Sequence, residues 1–310
     1  MVSDTPPVMG AMRLHLLGDP TSLEYEEVAV PSPENSEVLV RVHAAAITRD
    51  ELSWPDNRLP AIPSYELSGV VVTAGPEASR ALVGQAVYGM TRFDRDGAAA
   101  HYVAVEDGLL APKPRSLSHV EAAALSLAGL SAWQGLLEHG GLAPGERVLI
   151  QGAAGGVGSL AVQLAHSFGA QVVGAASEEN LQVVKELGAD AVVNATGSFE
   201  DAVGEVDLVF DTVGGTRLER SVSLLREGGR LISVAAQPPV EEAAARGLRA
   251  TFFVVEPERE ELMELGRLVD AGKVRPIVDR VFPLREARRA FEHLAEPRHR
   301  RGKVVLQVEG

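Results

Sequence analysis

The sequence predicts an α/β chain in which a doubly wound parallel sheet is joined to a β-rich domain, and three observations carry that prediction. Arg147 to Ala165 reads as an apolar strand, a glycine-rich turn and a helix start built from small residues. From there to Ala235, strand and helix patterns alternate, which is the signature of a parallel sheet with crossover helices. Before it, Met12 to Pro114 shows short β-like runs broken by Pro and Gly, with no long helical period.

The 310-residue length suggests about two domains. A formal charge of −14 argues against nucleic acid or an anionic membrane as the partner, because either would need clustered Lys and Arg. A small-molecule ligand is the better default. With no cysteine, disulfides, cysteine nucleophiles and thiolate zinc sites are all excluded. Met1 to Gly10 has no basic flank and no apolar run, so a loose tail is expected before Met12, and a cytoplasmic location is the simplest expectation. No uninterrupted apolar stretch reaches the roughly 20 residues a bilayer crossing needs.

In chain order, the first domain is expected to use strands at Met12–Leu17, Glu24–Val30, Glu37–Ala46, Gly69–Ala74, Ala86–Tyr88 and Ala99–Val105. Ala111–Pro114 reads as a linker, and Ser118 and Glu121 form a capping box that opens a helix. His119, inside that box, reads as a surface residue. In the second domain, strand Val148–Gln151 leads through the turn to helix Val157–Phe168, then strand Val172–Ala175 and helix Asn180–Leu187. Strands Ala191–Asn194 and Asp207–Asp211, helix Arg217–Leu225 and strand Arg230–Ala235 follow. Gly169 and Gly188 stand just past helix ends, where glycine takes left-handed angles at little cost. The tail adds helix Pro257–Ala271, strand Ile277–Val281, helix Leu284–Leu294 and strand Lys303–Val308.

The glycine turn is the chemical centre of the reading. Gly155 and Gly158 fit the last two glycines of a dinucleotide fingerprint, with Ala153 in place of the first. Such a turn lets backbone approach a pyrophosphate, and the helix behind it offers free amides and a positive dipole end. Ala154, Gly155, Gly156 and Val157 are therefore the candidate pyrophosphate cradle. Asp211–Gly215, including Thr212 and Val213, and Ser233–Ala235, including Val234, would lie at the same sheet edge; a purely structural role as turns is the competing reading. About 20 residues after the glycines, where an acid would select NAD, stand Ala176 and Ser177. That small pair permits NADPH over NADH, although Glu178 and Glu179 follow at once. Asn180 has two readings, a contact on the adenine side or a helix start.

Five blocks in order carry a resemblance: Ala44–Asp50, Ile62–Val71, Gly84–Gly89, Ala122–Trp133 and the glycine turn. Together they resemble the medium-chain dehydrogenase/reductase superfamily, in its zinc-free quinone oxidoreductase group. The resemblance implies a GroES-like β-rich catalytic domain over 1–116 and 258–310 and a Rossmann domain over 117–257, with cofactor and substrate between them. Zinc-dependent relatives carry cysteine, histidine and cysteine where this chain has Thr48, Tyr65 and Leu127, a set that leaves neither imidazole nor thiolate for zinc. The implied reaction is hydride transfer from NADPH to a quinone or an α,β-unsaturated carbonyl, with no metal. Thr48 can hydrogen-bond a substrate or ribose oxygen. Tyr65 can polarise a carbonyl or donate a proton, against a plain core role. Trp54 would line the substrate pocket, against an exposed loop aromatic. Ser131, in place of a family threonine, together with Val213, Ser233 and Phe253, makes the nicotinamide side, and Lys303 and Arg301 are candidate bases from the returning tail. The resemblance also implies a homodimer through the apolar Ala250–Val255 region. A short-chain dehydrogenase is disfavoured because Tyr25, Tyr65, Tyr88 and Tyr102 all precede the glycine turn. A second functional class stands beside the enzyme: a dinucleotide-binding redox sensor or partner-binding module with little turnover.

Overall fold

Val38, Val40 and Val42 alternate onto one face of strand Glu37–Ile47, the organiser of a seven-stranded sheet. The computed structural model describes residues 5–54, 58–197, 199–296 and 301–308. Glu37–Ile47 pairs antiparallel with Glu66–Ala74, Tyr102–Glu106 and Lys303–Gln307. Glu66–Ala74 continues the sheet through Ala86–Met90 to Leu110–Pro112, while Lys303–Gln307 pairs parallel with Val278–Pro283. The C-terminal segment is thus woven into a sheet that the first third of the chain begins.

Two expectations need correction here. Ala111–Pro114 does not begin as a linker: Leu110–Pro112 is the last strand on its side of the sheet, an edge where Pro112 costs no needed donor. The first strand runs Val8–Leu14 and not from Met12, because it pairs in full antiparallel register with Leu23–Ala29. The expected tail is shorter by that much, and its part at 1–4 lies outside the described residues.

The second sheet has six parallel strands, in the spatial order Ala191–Asn194, Gln171–Ala176, Arg147–Gln151, Val206–Asp211, Leu225–Ser233 and Arg249–Phe252. Numbered along the chain this is 3-2-1-4-5-6, the doubly wound order whose ligand site lies where the order reverses, beyond Gln151 and Asp211. Val148, Leu149, Ile150, Leu208, Val209 and Phe210 are fully buried, as central strands covered on both faces require. The expected helix at Arg217–Leu225 is shorter, Gly215–Arg220 with a tight turn over Ser221–Leu224, because Leu225 already starts the next strand.

Helix His119–Trp133 lies between the sheets. Ala123 and Ala124 pack on Ala44, Ala46 and Val305 of the first sheet, while Leu125 and Leu130 share a core with Leu160 and Leu164 of helix Gly156–Ser167. Apolar residues all round it are what a helix buried on every side needs. The capping box forms: Ser118 Oγ accepts from Glu121 N at 3.3 Å, and Glu121 Oε2 accepts from Ser118 N at 2.8 Å. Beyond Trp133 the helix widens into a π-helical turn, Gln134–His139, where Gly135 leaves room for the Phe210 ring; a Cβ there would lie 2.3 Å from it. The stretch 119–139 is, by length and composition, apolar enough to cross a bilayer, although Glu121, Gly129, Gly135 and Glu138 interrupt it. Its apolar character serves the core instead, since 78% of that window is buried inside the protein.

His119 is likewise not a surface residue. Its ring stacks on His43 at 4.4 Å, and Nδ1 lies 2.8 Å from Ser68 Oγ. Burial, with the neighbouring His43 and Lys113, pushes its pKa down from 6.5 to about 4. The folded chain therefore keeps His119 neutral where an unfolded chain takes up a proton, so stability falls as pH drops from about 6.5 towards about 4. A series of urea midpoints over that window should show the decline, and His119→Gln should flatten it. An unchanged slope would mean that other groups carry the acid sensitivity.

Candidate functional site

A cleft of about 1090 Å³ opens between the two sheets at the carboxyl ends of the parallel strands. Its floor is the glycine turn. Gly152, not Ala153, takes the left-handed conformation, at φ +72°, and Gly155 is the extended residue that starts helix Gly156–Ser167. Gly155 has no side chain to cap the helix, so the first-turn amides of Gly156, Val157 and Gly158 lack partners within it. A dinucleotide pyrophosphate fits such a cradle of free donors. Ala154, Gly155, Gly156 and Val157 all line the cleft.

The returning tail docks on this turn. Gly302 N donates to Ala154 O at 2.9 Å, and Gly302 sits at φ +70° with Ile277 O only 2.0 Å from where a Cβ would be. That close approach brings Lys303 into the cleft lining, while Arg301, which does not line the cleft, reaches Asn180 at its edge. Arg301 Nε donates to Asn180 Oδ1 at 2.6 Å, and Asn180 Nδ2 donates to Ser177 Oγ at 2.9 Å. Ser177, Asn180, Thr196 and Arg217 line this end. The carboxylate of Glu178 accepts from Asn194 Nδ2 at 2.7 Å, and neither Glu178 nor Glu179 lines the cleft.

At the other end Asp211, fully buried, accepts from Gly214 N at 3.0 Å and from Ser233 Oγ at 2.9 Å; burial raises its pKa, against these hydrogen bonds. Thr212 Oγ1 donates to Gln151 O at 2.8 Å, tying the two strand ends together. Thr212, Val213, Val234, Phe253 and Ser131 line the cleft. Ser233 does not. Its hydroxyl is spent on Asp211 and on the amides of Ala235 and Ala236, so it shapes the turn and is not a contact residue. In the sequence Ser233 shows only as a polar residue at a strand end, with no mark of its partner Asp211.

Opposite lies an aromatic box. Trp54 stacks on Tyr65 at 5.8 Å between ring centroids, and both meet the edge of Phe93, at 5.1 and 5.0 Å. Trp54 is half-buried in this box and not an exposed loop aromatic, while Tyr65 is buried yet still lines the cleft. Phe93 was missed; an isolated aromatic in the Arg92–Asp96 loop was the only signal.

Behind the box sits a buried polar cluster. Lys303 Nζ donates to Thr48 Oγ1 at 2.9 Å and pairs with Glu66 Oε1; Lys303 is 7% exposed and Glu66 1%. The Lys303 stem crosses Gly156, where a Cβ would lie 2.5 Å from Lys303 Cδ. Lys303 therefore lines the cleft, as a cofactor residue should, but its ammonium is held at Thr48. Glu51, also buried, accepts from Thr48 N at 2.7 Å and Ser64 N at 2.9 Å. Ser64 is at φ +70°, a conformation costly for a side chain, and Glu51 clamps it directly before Tyr65. Burial, with Glu66 nearby, pushes the Glu51 pKa up to about 8.

A six-stranded doubly wound sheet, a glycine turn and an inter-sheet cleft define a dinucleotide-dependent class of protein. Comparison with known proteins gives the family. Residues 34–115 match the alcohol dehydrogenase GroES-like domain, and residues 187–306 match the zinc-binding dehydrogenase family. The 2-methylene-furan-3-one reductase of Solanum lycopersicum is 38% identical over 299 residues, covering 90% of this chain and 74% of that protein. The chloroplastic NADPH-dependent alkenal/one oxidoreductase of Arabidopsis thaliana is 35% identical, with the same coverage of both. The structure of a quinone oxidoreductase from Coxiella burnetii superposes with a TM-score of 0.90 at 32% identity, covering 97% of this chain and all of that one. The chain belongs to the medium-chain dehydrogenase/reductase superfamily, in its quinone oxidoreductase group.

Proposed function

We propose that this chain reduces quinones or α,β-unsaturated carbonyls with NADPH in the inter-sheet cleft, without zinc. One observation carries the zinc-free reading: the residues at the metal position of zinc-dependent relatives are Thr48, Tyr65 and Leu127, all lining the cleft, and Glu66, whose carboxylate lies 3.4 Å from Thr48 Oγ1, is already paired with Lys303. A hydroxyl, a phenol and an alkyl group do not make a zinc site, and an adjacent ammonium repels a dication. The names of the two plant relatives, a reductase of a methylene-furanone and an NADPH-dependent alkenal/one oxidoreductase, support the substrate class.

Gly155, Gly156 and Val157 would hold the pyrophosphate, Ser177 and Asn180 the adenosine side, and Ser131, Thr212, Val213, Val234 and Phe253 the nicotinamide side. When bound, NADPH supplies the hydride. The chain's part is orientation and electrostatics. Trp54, Tyr65 and Phe93 offer aromatic surface to a flat acceptor and keep water from it. The Thr48 hydroxyl can donate to the acceptor oxygen, and Tyr65 stands in the same wall as a second candidate donor.

Arg301 and Arg217 support NADPH over NADH. No acid stands at Ala176, Arg217 lines the cleft, and Arg301 from the tail is bonded to Asn180, which lines it. Arg301→Ala should raise the KM for NADPH about tenfold, or ~1.4 kcal/mol, and leave that for NADH nearly unchanged. Equal effects on both cofactors would remove Arg301 from the selectivity argument. For the homodimer, the support is the edge strand Arg249–Phe252, followed by Val254 at 60% exposure.

The test is the initial rate of NADPH and NADH consumption with a small quinone and a simple enone, each corrected for the uncatalysed reaction, with and without a chelator. Saturable, chelator-resistant turnover preferring NADPH is expected. Loss on chelation with recovery on adding zinc would overturn the metal-free reading. Tight NADPH binding with no turnover would favour the sensor or binding module.

A further inference from the structure

We propose that Lys303 is the proton reservoir behind Thr48, so that Lys303, Thr48 and the acceptor oxygen form a relay; this rests on the enone-reductase reading of the cleft. Lys303 Nζ is almost fully buried, yet it reaches Thr48 Oγ1 at 2.9 Å, and both residues line the cleft. Because the Thr48 oxygen accepts from the ammonium, its own hydrogen must point elsewhere. Among the described residues its acceptor is Glu66 Oε1, at a long 3.4 Å and shared with Lys303. That hydrogen is therefore the loosely held one, and the cleft is where it can turn. Glu66 is the ion-pair partner of Lys303 in this cluster.

The balance is simple. Hydride addition at the β-carbon of an enone pushes the C=C electron pair towards the carbonyl oxygen. That oxygen takes the Thr48 hydroxyl proton, forming one O–H bond as another breaks. Thr48 Oγ1 then takes a proton from Lys303 Nζ, whose N–H electron pair remains on nitrogen as a neutral amine. Only protons move in the relay, and the two electrons come with the hydride. After the enol leaves and tautomerises, water entering the cleft reprotonates the amine.

Lys303 acts through Thr48 and is thus a positioning and proton-supplying residue. The tail could equally have brought this lysine to serve the pyrophosphate, because its stem crosses Gly156. The experiment separates these roles with the double variant Lys303→Met/Glu66→Gln, which leaves no unpaired buried charge, and with Lys303→Arg, which keeps a cation beside Glu66 but holds its proton. Binding of NADPH is followed by fluorescence, and turnover is measured with an aliphatic enone and a benzoquinone. The quinone aromatises on reduction and leans less on an acid. Both variants should bind NADPH within about twofold of wild type, while enone kcat falls about 100-fold and quinone kcat falls distinctly less. A tenfold weaker NADPH affinity with kcat retained would make Lys303 a phosphate ligand and overturn the relay. Equal losses on enone and quinone, or full enone turnover in Lys303→Arg, would overturn it as well. Failure of the wild type itself to turn over any enone would overturn the enone-reductase reading, a result distinct from all of these.

Discussion

Gly158→Ala is expected to weaken NADPH binding about 100-fold, or ~2.7 kcal/mol, by deforming the glycine turn and not by touching the ligand. A Cβ on Gly158 would lie 2.1 Å from Gly152 O, 2.7 Å from Gly152 C and 2.9 Å from Ala153 Cα. All three are backbone atoms of the same turn, so no side chain can swing away to make room. Gly152 must move, and it is the residue at φ +72° that carries the chain from strand Arg147–Gln151 into helix Gly156–Ser167. The helix amides would no longer converge on one point, and convergence is what binds a pyrophosphate. Gly156→Ala makes the useful comparison. Of the three atoms nearest its Cβ, two belong to the stem of Lys303, which can shift, and the third is Gly302 O at 3.6 Å. That change should cost less affinity and disturb the Lys303–Thr48 contact instead. Fluorescence titration of NADPH against both variants checks this. A Gly158→Ala protein binding as tightly as wild type would mean that the turn does not hold the cofactor.

Sequence and structure agree where the information is local. The strand, turn and helix around Gly155 are contiguous, and their patterns sit within about 20 residues, so they could be read directly. The motif blocks around Thr48 and Tyr65 were legible for the same reason. The rest of the site is made from contacts that no pattern announces. Arg301 meets Asn180 across 121 positions, and Lys303 meets Glu66 across 237. Arg217 reaches the cleft from helix Gly215–Arg220 and Phe93 from a loop, and both positions depend on the packed sheets. No sequence pattern marks Glu51, and only the structure shows that it clamps Thr48 and Ser64. Ser233 and His119 fail in the opposite sense. Each looked available, and each is used up by an internal partner, Asp211 in one case and Ser68 in the other.

Lys303→Met alone should destabilise the fold by about 3–5 kcal/mol, because it leaves Glu66 as an unpaired buried carboxylate. Glu66 is 1% exposed, its Oε1 is held by Lys303, and its Oε2 has no partner among the described residues, so no second cation is in place there and only the neutral Thr48 hydroxyl, 3.4 Å from Oε1, remains. Methionine has about the length of the lysine stem and can still cross Gly156, which confines the loss to charge and not to packing. Adding Glu66→Gln removes the stranded charge and should recover most of the loss, even though that change also deletes a native group. This non-additivity is the signature of a coupled pair, and it is the quantity to measure: urea midpoints of wild type, both single variants and the double variant, combined as a cycle. A coupling energy well above the ~1 kcal/mol of an exposed ion pair is expected. Additive single effects would mean that Lys303 and Glu66 do not depend on each other, and the tail would then be held to the first sheet by strand pairing and apolar packing alone, through Val304 and Val305 against Ile47 and Ala46.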